Sequence, residues 1–339
     1  MSTPHDMNRR DFIKTSVAAA AAVAPSARAQ DAQADGLIRR HQRDGMPYRQ
    51  LGRTNFLCSR LVFGCGAALI GGRAVRLLDA AFDAGVNFYD LGSDAFYKGS
   101  ERAFAPFLAA HRDEIWVTSK APLRPVDGHE PGTPLTAAQG KFLADYWSGL
   151  LDASLADLGT DHVDAYYLMG VGDPAIVRCE QLREAFLKAK QAGKVRHWGV
   201  STHKNAQQVL DAMIETDWYD LAMIAITPAG WYDWDLKSLL PGSPTMATLQ
   251  PTLQRARDAG IGLVGMKAAR YLGGKDLQNA FDHHYSDAVL QSGLSPWQRS
   301  YAYVLAHGVD VVNSDMQNLA HFKENLAAVQ RSGELFATA

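Results

Sequence analysis

Three residues of chemically useful type stand where an α/β chain places its chemistry. Asp90 closes the run VNFYD, Tyr97 follows in the next loop, and Lys120 closes the apolar run IWVTSK. A phenol ordinarily titrates near pH 10, roughly. An ammonium beside it stabilises the phenolate and would bring the group toward use as an acid or base near neutrality. A Lys at the end of an apolar strand needs a partner to offset its desolvation, and Asp90 would hold Lys120 charged and oriented. Asp94, in the loop before Tyr97, is a rival for that pairing; Asp90 is preferred because it closes the strand. The other strand-like runs end in Met169, in Ser201, Thr202 and His203, near Thr227, in Met266 and Lys267, and in Asn313, Ser314 and Asp315.

The elements that must position these residues repeat one pattern. An amphipathic stretch ends in Ala-Gly or a similar pair, and a β-branched run follows at once, at Gly85, Gly159, Gly193, Gly260 and Gly308. Glycine suits the left-handed backbone that stops a helix. Helix starts are visible too, in the Thr136 and Gln139 capping pattern and in Ser295, Pro296 and Gln298. With LVFG at 61–64, IWVTSK at 115–120 and DLAMIAI at 220–226 there are eight strand candidates, each followed by a helix-like stretch. Eight βα units with right-handed crossovers close into an α/β (β/α)8 TIM barrel, whose active site forms at the carboxyl ends of the strands. A doubly wound sheet is the competitor, with Gly64, Cys65 and Gly66 opening a dinucleotide fingerprint. That fingerprint lacks its third glycine, since Leu69 stands there.

Composition narrows the field. Lys plus Arg number 34 against 36 Asp plus Glu, for a formal net charge of -2, so no basic excess points to nucleic acid or a membrane surface. The three cysteines form no C-x-x-C pair, which argues against an iron–sulfur cluster or structural zinc. The first residues read as an export leader (1–29): Arg9 and Arg10 before Phe12 and Lys14, an alanine-rich core too short to span a bilayer, and an A-x-A site ending at Ala29. This resembles a twin-arginine (Tat) signal and implies the Tat export machinery as a partner, a periplasmic location and no stable membrane anchor. Residues 30–46 read as a linker left out of the core, and 47–335 as the barrel.

The chain resembles the aldo-keto reductase family in YRQLGRT at 48–54, AGVNFYD at 84–90, YKGSE at 97–101, VDAYYL at 163–168, GKVRHWGVS at 193–201 and ENL at 324–326. The resemblance implies a barrel reductase that binds a nicotinamide cofactor, NADP with NAD as the alternative, and acts on a small carbonyl or alcohol. It maps the family's tetrad onto Asp90, Tyr97, Lys120 and, at the position expected for His, Met169. A thioether donates no hydrogen bond, so Met169 cannot orient a carbonyl as an imidazole would; an impaired, ligand-binding barrel is therefore the second reading. The spacing from Asp90 to Tyr97 is longer than the family pattern, with Gly92, Ser93 and Asp94 in the extra loop. Ser201 and Thr202 would meet the nicotinamide carboxamide, and His203 would line the same pocket or replace the imidazole. Met266 and Lys267 would flank the cofactor, Ser314, Met316 and Asn318 its phosphates, and Glu324 and Asn325 its adenine. Asp315 would oppose a 2′-phosphate, with Lys267 and Arg270 offsetting it. Trp231, Tyr232 and Trp234 lie where the family places substrate or cofactor loops. His283 and His284 have no metal-ligand spacing, so no metal is expected, and Ser201 with His203 lacks the G-x-S-x-G elbow of a hydrolase.

Overall fold

The computed structural model describes residues 36–336, so the leader (1–29) and the start of the linker lie outside the described residues. Among the described residues eight parallel strands form the barrel: β1 (Leu61–Gly64), β2 (Phe88–Asp90), β3 (Trp116–Pro122), β4 (Val163–Met169), β5 (Val195–Thr202), β6 (Leu221–Thr227), β7 (Gly262–Met266) and β8 (Val311–Ser314). Each runs parallel to the next, and β8 pairs with β1 to close the cylinder. This is the expected (β/α)8 barrel, not an open doubly wound sheet. Helices such as Ser100–His111, Ala137–Leu158 and Pro296–Ala306 cover its outside, and the Thr136–Gln139 and Ser295–Gln298 capping boxes both form. Gly159 ends the long helix in a left-handed conformation, φ 64°.

Successive strand residues face opposite sides of a sheet, and the packing follows that rule. Val62, Phe88, Trp116, Tyr167, Val264 and Val311 fill the cylinder, with Leu51 and Phe56 packed against them from the hairpin Tyr48–Gln50 and Leu57–Ser59. Phe63, Tyr89, Val117, Leu168 and Val312 face the helices instead. After β6 the chain adds two short antiparallel strands, Gly230–Asp233 and Ser238–Leu239, to the barrel rim.

One expectation is corrected. Residues 37–46, assigned to a linker left out of the core, pack against the barrel. The Ile38 amide donates to Asn55 O at 2.7 Å, His41 stacks on Phe82 at 3.4 Å, and Met46 is buried. The reason is electrostatic as well as apolar. Asp164, wholly buried near the start of β4, accepts from Arg40, Arg112 and Arg196 at 3.0, 2.9 and 3.3 Å. Burial alone would push its carboxyl up, but the three guanidinium groups overcome that and hold it below the usual range.

Candidate active site

The same alternation that fills the barrel interior assembles its mouth. Above Phe88 the next inward position on β2 is Asp90; above Trp116 on β3 come Thr118 and then Lys120; above Tyr167 on β4 comes Met169. Register places Asp90 opposite Thr118, and Met169 between Pro122 and Ser201. On β8 the inward residue above Val311 is Asn313.

These groups converge on one carboxylate. Asp90 Oδ2 accepts from Lys120 Nζ at 2.6 Å and from Asn313 Nδ2 at 2.5 Å, and Oδ1 accepts from Thr118 Oγ1 at 2.9 Å. Lys120 also donates to Leu91 O. Both members of the ion pair are buried, and each is hydrogen-bonded further, as a desolvated pair requires. Asp94 is not the partner of Lys120: its Oδ1 accepts from the Glu101 amide at 2.9 Å, and its Oδ2 faces Arg102 Nε at 3.4 Å.

Tyr97 ends a one-turn helix, Asp94–Tyr97, begun by the Ser93 side chain. Two glycines make room for its ring. A Cβ at Gly92 would stand 2.5 Å from Tyr97 Cδ2 and Cε2 and 3.8 Å from Lys120 Cε, so phenol and ammonium stem pack around one point. A Cβ at Gly66 would stand 2.9 Å from Tyr97 Cε2 and Cζ. Gly66 thus has a local role unrelated to a dinucleotide fingerprint. Buried Glu101 fastens this helix to β3, its Oε1 accepting from Ser119 Oγ at 2.6 Å and its Oε2 from the Asp94 amide at 3.1 Å.

The phenol differs from expectation in one respect. Burial, then the negative charges of Asp315 and Asp90, push its pKa well above the ordinary phenol value. The Lys120 ammonium, paired with Asp90 at 2.6 Å, does not offset these effects. Tyr97 is therefore a protonated donor at neutral pH.

Met169 is buried at the mouth. Beside it Ser201 Oγ is buried without a hydrogen-bond partner, whereas Thr202 Oγ1 already donates to Lys204 O at 2.7 Å. An orphan hydroxyl at the mouth fits a carboxamide, so Ser201 suits the expected cofactor contact better than Thr202. His203 lies 6.0 Å from the Trp234 ring. Burial, then Lys267, Lys120 and Lys237, lower its pKa to about 4, so it is neutral at pH 7.

The residues expected around the rest of the cofactor divide into two groups. Met266 is buried at the end of β7, and Lys267 follows in a left-handed conformation, φ 64°, with Nζ 4.6 Å from the Trp234 ring. Lys237 and Arg270 approach the same ring at 3.2 and 5.8 Å. Ser314, by contrast, faces outward from β8, bonded to Tyr301 at 2.9 Å and Asn325 at 2.8 Å. Glu324 accepts from Ser295 Oγ, Asn318 caps the last helix through the His321 amide at 2.9 Å, and Met316 is buried. Asp315 points over Gly64, where a Cβ would stand 2.8 Å from its Oδ1. After burial, its negative charge is the next influence on Tyr97 and on Lys267, raising the pKa of each.

Asn313 and Glu101 carry no site role in the sequence reading. Asn313 had a usable signal, since alternation from Val311 turns it inward; Glu101 had none beyond its place in YKGSE.

Comparison with known proteins agrees with this architecture. Residues 64–231 match the model of the aldo/keto reductase family, and residues 6–26 match that of the twin-arginine translocation pathway signal sequence. The uncharacterized oxidoreductase YqkF of Bacillus subtilis is 29% identical over 161 residues, covering 46% of this chain and 49% of that protein. A 6-dehydroglucose reductase of Novosphingobium aromaticivorans is 30% identical over 174 residues, covering 47% and 53%. The chain thus spans about half the length of the curated relatives it matches. A solved aldo-keto reductase from Bacillus halodurans, in its holo form, superposes with a TM-score of 0.61 over 84% of this chain and 91% of that one, at 23% identity. That likeness concerns the fold. Among the described residues no helix is long and apolar enough to cross a membrane.

Proposed function

We propose that this chain is an oxidoreductase of aldo-keto reductase type that works on a small carbonyl or alcohol with a nicotinamide cofactor, after twin-arginine export to the periplasm. The observation that carries the reading is the buried Asp90–Lys120 pair at 2.6 Å beside a phenol seated on Gly66 and Gly92. Support for a cofactor comes from the orphan Ser201 hydroxyl at the same mouth. A bound nicotinamide would supply or accept the hydride. NADP is the proposed form, with NAD the competing one; the cations Lys237, Lys267 and Arg270, which take part in no ion pair among the described residues, supply positive charge for phosphates.

Within this frame each side chain has a distinct task. Tyr97 donates its phenolic proton to the carbonyl oxygen as charge develops there. Lys120, fixed by Asp90 and Leu91 O, stabilises the phenolate left behind. Asp90, held by Thr118 and Asn313, orients Lys120. Met169 closes the carbonyl side with a group that donates nothing. Losing one donor aimed at a developing oxyanion costs about 3 kcal/mol, so turnover of simple aldehydes is expected to be slow.

Titration with NADPH and NADH, followed by turnover with an aldehyde panel, tests the reading. A Tyr97→Phe protein as active as the parent would remove the mechanism. Met169 favours a second reading, a barrel that binds nucleotide or another ligand with little turnover. Met169→His separates the two: a gain in carbonyl turnover supports an impaired reductase, and an inert protein with normal nucleotide binding supports the binding role.

A further inference from the structure

The segment that carries Tyr97 is closed on itself. The Asp94 amide donates to Glu101 Oε2 at 3.1 Å and the Glu101 amide donates to Asp94 Oδ1 at 2.9 Å, a reciprocal pair that joins the two ends of 94–101. Inside this closure Tyr97 N donates to Ser93 O at 2.9 Å, and the chain then reverses through Lys98 and Gly99 at φ 37° and 86°. A lysine in left-handed backbone persists where its surroundings hold it there. The closed segment stands on β3 at two consecutive residues: Glu101 Oε1 accepts from Ser119 Oγ at 2.6 Å, and Ser93 N donates to Lys120 O at 3.0 Å.

We propose that Glu101, braced against Asp94, is a positioning residue that holds the Tyr97 phenol in place beside Lys120, a role that rests on the reductase reading above. One attachment to β3 would let the segment pivot about the bond between Ser93 and Lys120. The second, from Glu101 to Ser119, fixes its rotation, and with it the direction of the phenol. Glu101 acts through Tyr97 and moves no proton itself.

Burial makes the assignment sharper. Glu101 and Ser119 are both wholly buried, and a buried carboxylate is costly unless its oxygens are bonded. Its bonds to Asp94 and Ser119 fall on the first residue of the Tyr97 helix and on the neighbour of Lys120. Ser119 points away from the barrel interior while Lys120 points into it, so Glu101 grips β3 from outside without entering the mouth. Gly92, Ser93 and Asp94, the residues that lengthen the stretch from Asp90 to Tyr97, supply the near half of the brace. The longer loop thus carries its own fastening. Arg102 extends it outward, with Nε 3.4 Å from Asp94 Oδ2 and 2.9 Å from Asp157 Oδ1.

The test uses Glu101→Ala, Glu101→Gln and Asp94→Ala in two arms. Without cofactor or substrate, fluorine NMR of meta-fluorotyrosine-labelled protein, with Tyr97 assigned from Tyr97→Phe, should show the Tyr97 resonance moved in E101A and D94A. In E101Q it should stay in place, because the amide can accept from the Asp94 amide and donate to Ser119 Oγ. With turnover, E101A should lose on the order of 100-fold in kcat, as a displacement of about 1 Å implies, with KM within about twofold. E101Q should retain most of the rate, and the double variant D94A/E101A should fall no further than E101A, since the two residues form one unit. If E101A does not fold, D94A, which cuts the brace at its less buried end, carries both arms. An unmoved Tyr97 resonance, or parent-like kcat in the folded variants, would overturn the positioning role and leave the reductase reading standing. A parent without turnover, with the resonance moved in the variants, would remove the reductase reading and leave the brace as the device that seats Tyr97.

Discussion

Gly92 decides where the phenol of Tyr97 stands, and Gly92→Ala is the sharpest perturbation of the proposed site. Its backbone lies outside the left-handed region, so alanine strains nothing locally, but the added Cβ would fall 2.5 Å from Tyr97 Cδ2 and Cε2. Ordinary carbon contacts are about 3.5 Å or more, so the ring must retreat by roughly 1 Å. Tyr97 is only half-buried and can shift toward solvent, which keeps the loss of stability to about 1 kcal/mol. A misplacement of about 1 Å at a reacting group costs on the order of 100-fold in rate, or about 2.7 kcal/mol of barrier. Gly149→Ala is the control: it has open space around it inside a long helix, where alanine stabilises by up to about 1 kcal/mol. Steady-state kinetics beside urea unfolding reads both quantities. Gly92→Ala with kcat/KM within twofold of the parent would refute the placement of Tyr97 as the proton donor.

Lys120→Met leaves the Asp90 carboxylate buried with only neutral donors, and should cost about 3–5 kcal/mol in urea unfolding; adding Asp90→Asn should recover much of that. Asp164→Asn removes the charge that three guanidinium groups share and should cost a similar amount, roughly 3 kcal/mol, without changing cofactor affinity. His203 makes the fold acid-sensitive. Its folded pKa of about 4 lies below the ordinary 6.5, so between those values the unfolded chain binds the extra proton and stability falls as pH drops through that window, by about 3 kcal/mol in all. His203→Asn should flatten that part of a stability-against-pH curve; an unchanged slope would show that His203 does not titrate as its surroundings dictate.

The barrel and its mouth are legible in the sequence where a residue's placement follows from parity and punctuation. Glycine stops mark where helices end, β-branched runs mark the strands, and alternation turns Asp90, Lys120 and Met169 to the same face as Phe88, Trp116 and Tyr167. The same rule, carried one step further along β8, turns Asn313 inward and Ser314 outward. Read by motif position alone, Ser314 is a phosphate ligand; read by parity it belongs to the helix layer, where it meets Tyr301 and Asn325. Contacts between distant segments leave weaker traces. Nothing local in the polar stretch around Arg40 announces the buried Asp164 that recruits it, and Glu101 reads as an ordinary acidic residue in a helix's first turn until Ser119 is placed beside it.

The phenol shows most clearly what a pairwise reading omits. From the sequence, one ammonium near one hydroxyl implies a lowered pKa. In the folded mouth the ammonium comes already matched by Asp90, Asp315 adds a second negative charge, and burial penalises the phenolate further. The balance of the field reverses, so the protonated form prevails and the group is a donor first. In the proposed reduction Tyr97 begins protonated, as a proton donor requires.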